Sequence, residues 1–180
     1  MLFRSRTGAL IAAGVHYLPP DRTNEGLVLA ASASDNIALG MLGTDSLRGR
    51  RAIEAIAGIA KTVGLDRSML RRLVSQLSGG SQQKVLFGKG FGRNYAIYVF
   101  DEPTVGVDMG TRAQLYRVIK SLAESGKAVV VISSDLQEAM SLSHRLLVFS
   151  AGQISAELEG EEISEAAVLP RFFERKKAAA

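Results

Sequence analysis

Two adjacent carboxylates, Asp101 and Glu102, directly follow the apolar run 96–100. An apolar run of this length predicts a strand of a parallel sheet, and such sheets bind ligands at the carboxyl ends of their strands. One carboxylate at this place can hold Mg²⁺, usually through water, and the next can activate a water molecule for attack on a phosphoryl group. Two acids that simply begin a surface loop would give the same pair, so the pair alone does not decide between these interpretations.

A second motif lies upstream and leads into a segment at 81–89 that can be helical. It comprises Leu77, Ser78, Gly79, Gly80, Ser81 and Gln82. Its two glycines let backbone N–H groups approach an anion closely, its serine adds a hydroxyl donor, and a helix N-terminus supplies partial positive charge. An ordinary glycine turn before a helix is the structural alternative. The phosphate-binding interpretation gains weight because Asp-Glu-Pro-Thr follows at residues 101–104.

The elements that position these motifs alternate between strand and helix in the second half of the chain. The apolar runs 96–100 and 128–132 predict strands buried on both faces, with a helix at 111–125 between them. This order predicts a right-handed crossover of a parallel sheet. A strand at 15–18, an amphipathic helix at 47–63 and a hairpin of strands 145–150 and 153–158 are further predictions. We expect an α/β domain at 1–160, with a helical subdomain at 27–92 inserted before the core at 93–158, and a tail at 161–180.

Composition excludes several classes of site. The 180 residues contain no cysteine and two histidines, which excludes disulfides, thiolate metal sites and cysteine nucleophiles. Every apolar stretch is far shorter than the roughly 20 residues that cross a bilayer, so we expect a soluble or peripheral protein. The charged start before residues 8–14 has the order of a secretory signal, and a short helix leading into a strand is the favoured alternative. Basic residues cluster only at 171–177, which favours a solvated tail and no nucleic-acid partner.

Residues 77–83 and 99–108 together resemble the ATP-binding-cassette ATPases. Residues 14–22, 26–29 and 131–136 are similar to the second cassette of the tandem ATPases that power bacterial monosaccharide importers, and the resemblance covers roughly 5–158. It implies the α/β fold of the P-loop NTPases, with a parallel sheet and an inserted helical subdomain. It also implies ATP and Mg²⁺ as cofactors.

The resemblance implies a role for each candidate residue. Leu77, Ser78, Gly79, Gly80, Ser81 and Gln82, called here the signature loop, would contact the γ-phosphate of ATP held by the opposite cassette. Asp101 would support Mg²⁺, and Glu102 would be the catalytic carboxylate. Asp108 would belong to the loop that communicates across the dimer. Ser134 stands where many cassettes have a histidine that senses the γ-phosphate, and Pro20 stands where many have a glutamine. These two departures predict weak hydrolysis at this cassette's own site.

The sequence contains no Gly-x-x-x-x-Gly-Lys followed by Ser or Thr, the P-loop motif of the family. In the family this loop precedes the position of residue 1, so we expect the C-terminal portion of a cassette. Without the loop's backbone amides and lysine, we expect no autonomous ATPase activity. The P-loop strand lies centrally in such sheets, so its omission predicts exposed backbone edges and apolar faces beside the strand at 128–132.

The resemblance implies a partial ATP-hydrolysing subunit of a sugar importer, peripheral on the cytoplasmic face of the plasma membrane. Its partners would be a second cassette, a membrane permease subunit that meets the loop 19–26, and indirectly a periplasmic sugar-binding protein. A non-catalytic module that donates the signature loop or docks on a partner is the alternative. A cassette acting on ribosomes or DNA is less favoured, because Val105-Gly106-Val107-Asp108 stands where translation-factor cassettes usually have Asn-His-Leu-Asp.

Overall fold

A computed structural model describes residues 7–44 and 49–173, and its contacts divide the chain into two compact units, 1–132 and 133–180. The first unit contains a parallel sheet of β1 (Val15–Leu18), β2 (Ile97–Asp101) and β3 (Ala128–Ile132), in that order. Leu18 pairs with Phe100, and Asp101 pairs with Ile132, so the three strands end at the same edge. The strands predicted at these positions are confirmed.

Five helices accompany this sheet in the described part of the first unit. They are α1 (Thr7–Ala12), α2 (Ala33–Leu39), α3 (Gly49–Thr62), α4 (Gly79–Gly90) and α5 (Met109–Glu124). A π-helical turn at Arg22–Gly26 and 3₁₀ turns at Arg67–Arg71 and Val74–Gln76 complete it. Because β2 and β3 are parallel and α5 connects them, the predicted strand–helix–strand unit of a parallel sheet is confirmed. The domain boundaries given above stay predictions.

Helix α4 packs on one face of the sheet and forms the centre of the core. The ring of Phe87 in α4 stacks on Phe100 of β2, with 5.1 Å between the ring centroids. Leu18 of β1 and Val85 of α4 are fully buried. Helix α5 contacts β3 and buries Leu115, so apolar burial holds both helices against the sheet.

The opposite face of the sheet carries exposed apolar side chains, so the prediction of strands buried on both faces is wrong. Residues alternate between the two faces of a strand, and α4 and α5 cover one face only. On the other face, Val130 and Ile132 of β3 are 48% and 47% exposed. Among the described strands, β3 pairs with β2 alone. The exposure expected beside this strand is therefore present.

The second unit consists of α6 (Leu136–Leu142), β4 (Arg145–Ser150), β5 (Gln153–Glu159), a 3₁₀ turn at Gly160–Glu162 and α7 (Glu165–Phe173). Strands β4 and β5 form the predicted antiparallel hairpin. Ala151 and Gly152 in its turn have φ values of 49° and 77°, as a two-residue hairpin turn requires. Helix α7 packs on β4 and buries Val168, and Ser150 Oγ donates to the carbonyl of Phe172 at 2.9 Å.

Among the described residues, no helix combines the length and the apolar character needed to cross a membrane. Helix α1 leads directly into β1, as the favoured interpretation of the first residues predicts. Three parts of the sequence predictions lie outside the described residues: the charged start at 1–6, the beginning of the helix predicted at 47–63, and the basic cluster at 175–177.

Candidate functional site

Asp101, the predicted Mg²⁺ ligand, is the last residue of β2 and is partly exposed. Its Oδ2 accepts a hydrogen bond of 2.8 Å from the hydroxyl of Tyr17, which lies on the neighbouring strand β1. This hydrogen bond, with burial and the charge of Asp101, raises the pKa of Tyr17 to about 12. The sequence did not reveal Tyr17 as a site residue, because its distance from Asp101 depends on the pairing of strands 84 positions apart.

Glu102, the predicted catalytic carboxylate, has left-handed backbone with φ of 49°. This conformation costs a non-glycine residue about 1–2 kcal/mol. Its backbone N–H donates to the carbonyl of Ile132 at 2.8 Å, so the end of β3 holds the strained residue in place. Strained backbone of this kind clusters at functional sites. The role of Glu102 as the catalytic carboxylate stays a prediction.

Ser78 of the signature loop is the N-cap of α4. Its Oγ accepts from the backbone N–H of Ser81 at 3.3 Å. The first N–H groups of a helix have no partner within the helix, and they carry its partial positive charge. The remaining N–H groups at the start of α4 can therefore bind an anion. Leu77 and Gln82 have internal contacts: Leu77 is buried in the core, and Gln82 Nε2 donates to the carbonyl of Val74 at 3.0 Å.

The two signature glycines also allow close packing within the chain. An ideal Cβ atom on Gly79 would lie 3.0 Å from Nη2 of Arg22 and 3.5 Å from the carbonyl oxygen of Gly106. One on Gly80 would lie 2.7 Å from Oγ1 of Thr111 and 3.1 Å from a carboxylate oxygen of Asp108. A side chain at either glycine would force Arg22, Asp108 or Thr111 to shift. The two glycines thus allow the signature loop to lie close to these three residues.

Gln83 joins these two motifs directly. Its Nε2 donates to the carbonyl of Pro103 at 2.7 Å, and the side chain is 3% exposed. Thr104, the next residue of the loop, is 2% exposed. A buried amide that bonds a backbone carbonyl restrains both segments, because breaking the bond would leave polar atoms unpaired away from water. The structure therefore brings the signature loop and the Asp101-Glu102 loop together within one unit.

Asp108 is the N-cap of α5. Its carboxylate accepts from the backbone N–H of Thr111 at 2.9 Å and from the hydroxyl of Thr111 at 2.8 Å. These bonds favour the charged form, and the pKa of Asp108 lies below its usual range. Its role in communication across a dimer stays a prediction.

The two positions that depart from the commonest cassette pattern lie in different units. Pro20 follows β1 in the first unit, directly before Asp21. The Asp21 carboxylate caps the turn Arg22–Gly26 by accepting the N–H groups of Thr23 and Asn24, each at 3.0 Å. Ser134 lies exposed in the second unit, directly before Asp135, the N-cap of α6.

Of the predicted Mg²⁺ site, one candidate ligand, Asp101, lies among the described residues. Mg²⁺ in nucleotide-hydrolysing enzymes is held by one or two carboxylates together with waters and phosphate oxygens, and Asp101 at the strand end fits the place of one carboxylate. Within the ranges 7–44 and 49–173, no three His, Asp or Glu side chains form a group that could hold a metal ion. The remaining ligands would have to come from phosphate oxygens, water or residues outside these 180.

Sequence comparison relates the chain to ATP-binding proteins of ribose import. It is 39% identical over 165 residues to the ribose import ATP-binding protein RbsA 2 of Mesorhizobium japonicum, covering 89% of this chain and 32% of that protein. A second relative, RbsA 2 of Streptomyces coelicolor, is 39% identical over 175 residues, covering 93% of this chain and 33% of its own length. The chain thus spans about a third of the length of the curated relatives it matches. No family model matches it.

Solved structures of transporter cassettes share the fold. The dimeric cassette MJ0796 aligns with a TM-score of 0.70 at 25% identity, covering 79% of this chain and 61% of that one. A nucleotide-free cassette of an ABC transporter aligns with a TM-score of 0.77 at 21% identity, covering 95% of this chain and 73% of that one. The fold, the signature loop and the strand-end carboxylates define a cassette-type P-loop NTPase. Over about 90% of its length the chain is similar to part of the ribose import ATP-binding proteins, and it shares its fold with the ATP-binding cassettes of ABC transporters.

Proposed function

We propose that this chain works as part of an ATP-hydrolysing cassette of an ABC importer for sugars. The observation that carries the proposal is the packing of the signature loop against the loop after Asp101 and Glu102, through the bond between Gln83 and the Pro103 carbonyl. This packing, which brings the N-terminus of α4 close to the loop after the two strand-end carboxylates within the first unit, supports the proposal. Because cassette ATPases use these two features on opposite nucleotides, the chain would serve two ATP sites.

In this proposal, each motif acts on a different nucleotide. Asp101 contributes to Mg²⁺ binding, and Glu102 accepts a proton from the water that attacks the γ-phosphate. Ser78 and the free N–H groups of α4 bind the γ-phosphate of ATP on the opposite cassette. Mg²⁺ neutralises phosphate charge when it is bound. The P-loop that cradles the phosphates comes from residues outside these 180.

The proposal extends to partners and location through the relatives, which are named ribose import ATP-binding proteins. We infer a second cassette, a membrane permease subunit and, indirectly, a sugar-binding protein as partners. The chain would then sit peripherally on the cytoplasmic face of the plasma membrane. A cassette of the same fold has been solved as a dimer, which supports the first of these partners.

The test is reconstitution of hydrolysis with a segment that carries a P-loop strand and helix. The mixture should hydrolyse Mg-ATP, and Glu102→Gln should lower its kcat at least 100-fold because general-base catalysis contributes a factor of this order. Glu124→Gln, at the exposed end of α5, is the matched control and should leave kcat unchanged. Hydrolysis that survives Glu102→Gln would overturn the role given to Glu102.

A second candidate is a non-catalytic module that donates its signature loop to a complete cassette. It is favoured by a capped and intact signature loop in a sequence that has no P-loop and has Pro20 after β1. Here the variant is Ser78→Asp, because aspartate caps a helix as well as serine but its charge repels phosphate. Added to a complete cassette, the wild-type chain should change its ATPase rate, and Ser78→Asp should remove that change. Ser125→Asp, at the exposed end of α5, is the control and should behave as wild type.

A further inference from the structure

Arg22 contacts three segments of the site at once. It belongs to the turn after β1, and its Nη1 donates to the carbonyl of Val105 at 3.0 Å. The Nη2 atom lies 3.0 Å from the ideal Cβ position of Gly79. Both terminal nitrogens lie 3.6 Å from the ideal Cβ position of Gly106. One guanidinium thus lies between the turn, the signature loop and the loop 103–108.

The turn that carries Arg22 is itself held firmly. Asp21 accepts hydrogen bonds from the backbone and side chains of Thr23 and Asn24, at 2.7 to 3.0 Å. At the other end of the turn, Nζ of Lys89 in α4 donates to the carbonyl of Gly26. The backbone of the turn is therefore fixed on both sides of Arg22. Because its backbone is fixed, the guanidinium can restrain the segments that it contacts.

A buried donor of Arg22 that has no hydrogen-bond partner in the described part of the chain argues against a purely stabilising role. Its Nε is buried and has no hydrogen-bond partner among the described residues. An unpaired buried donor lowers stability, and a shorter apolar side chain would avoid this loss. The planar guanidinium is suited to span two loops at fixed geometry, which a lysine ammonium is not.

We propose that Arg22 is a positioning residue: it fixes the signature loop at Gly79 relative to the loop at Val105 and Gly106, and links both to the turn after β1. The link itself stands on the geometry of this chain. Its consequence for hydrolysis rests on the function proposed above. In that proposal the signature loop and Glu102 act on different nucleotides, so their relative position must be fixed.

The first experiment is a double-mutant cycle in the 180-residue chain, read from urea midpoints. Gly79→Ala introduces a methyl group against Arg22, so it should lower the midpoint in the wild-type background and lower it less in Arg22→Ala. Gly88→Ala is the matched control on the same helix, because its Cβ would meet Ile37 Cγ1 at 3.0 Å and not Arg22. Its effect should be the same in both backgrounds. Equal effects of Gly79→Ala in both backgrounds would overturn the link.

The second experiment measures hydrolysis in the reconstituted cassette. Arg22→Ala and Arg22→Lys should each lower kcat about tenfold or more with little change in the KM for ATP. Gly88→Ala, which adds a methyl group against Ile37 but leaves the link intact, should retain kcat. Wild-type kcat in Arg22→Ala would overturn the positioning role. If the wild-type mixture does not hydrolyse ATP, the proposed function fails, and the double-mutant cycle alone decides the link.

Discussion

The hydroxyl of Tyr17 donates to Oδ2 of Asp101 across the pair of strands β1 and β2, at 2.8 Å. Tyr17 is 51% exposed and lies on the uncovered face of the sheet. The carboxylate expected to support Mg²⁺ is therefore held by a side chain that the motif does not include. Tyr17 restricts the rotation of Asp101, and its hydroxyl uses one of the acceptor positions of Oδ2.

Asp101→Asn should lower the pKa of the Tyr17 hydroxyl from about 12 toward its ordinary value of 10, because the charged acceptor that favours the protonated phenol is removed. The chain has four tyrosines. Between pH 10 and 11, the absorbance of tyrosinate should rise more in Asp101→Asn than in the wild type. The double variant Tyr17→Phe/Asp101→Asn should lose this difference. An identical titration of wild type and Asp101→Asn would contradict the hydrogen bond.

Gln83→Met should destabilise the chain by about 1–3 kcal/mol, because it leaves the buried carbonyl of Pro103 without its donor. Methionine has a similar length and is apolar, so the packing loss is small. The free energy of unfolding from urea denaturation measures the effect. The control is Gln137→Met at an exposed position of α6, which should stay within about 0.5 kcal/mol of wild type. Equal effects of the two substitutions would show that the Gln83 bond does not hold the two loops together.

The sequence predicted the elements and their order well, because strands 96–100 and 128–132 and the helix between them carry strong apolar patterns. The hairpin of β4 and β5 could be predicted equally well, since Ala151 and Gly152 mark its turn. The prediction of burial on both faces failed, because an apolar run cannot show which face the helices of the same chain will cover.

Only those site residues that belong to a sequence motif could be predicted. Asp101, Glu102 and the signature loop stand out by residue type and spacing. Tyr17, Arg22 and Gln83 do not, because each acts on a segment that is distant in sequence, and only tertiary packing brings them there. The second function of Gly79 and Gly80, close contact with Arg22 and Thr111, was hidden for the same reason.

His16 should make stability depend on pH between 6.5 and 4. Burial, with a smaller effect of the Lys89 charge, lowers the pKa of His16 from 6.5 to about 4. Between these values the unfolded chain binds a proton that the folded chain does not bind. Stability is therefore at its full value above pH 6.5, and up to about 3 kcal/mol of it is lost as the pH falls to 4.

The measurement is the difference in unfolding free energy between wild type and His16→Gln at several pH values. This difference should change toward acid pH, since glutamine cannot be protonated there. A constant difference between wild type and His16→Gln from pH 7 to pH 4 would contradict the burial of a neutral imidazole.

Val130→Thr should reduce self-association of the chain at little cost in stability. Val130 is 48% exposed on the uncovered face of the sheet, and β3 has a free edge among the described strands. Exposed apolar faces and unpaired edges both favour association with other chains. Light scattering against protein concentration should therefore fall in the variant, with the unfolding free energy within about 0.5 kcal/mol of wild type. The same change at fully buried Val85 should cost about 1–3 kcal/mol, because it replaces a methyl group in the apolar core with a polar hydroxyl. If Val130→Thr lowered the unfolding free energy as much as Val85→Thr does, this face of the sheet would have to be covered.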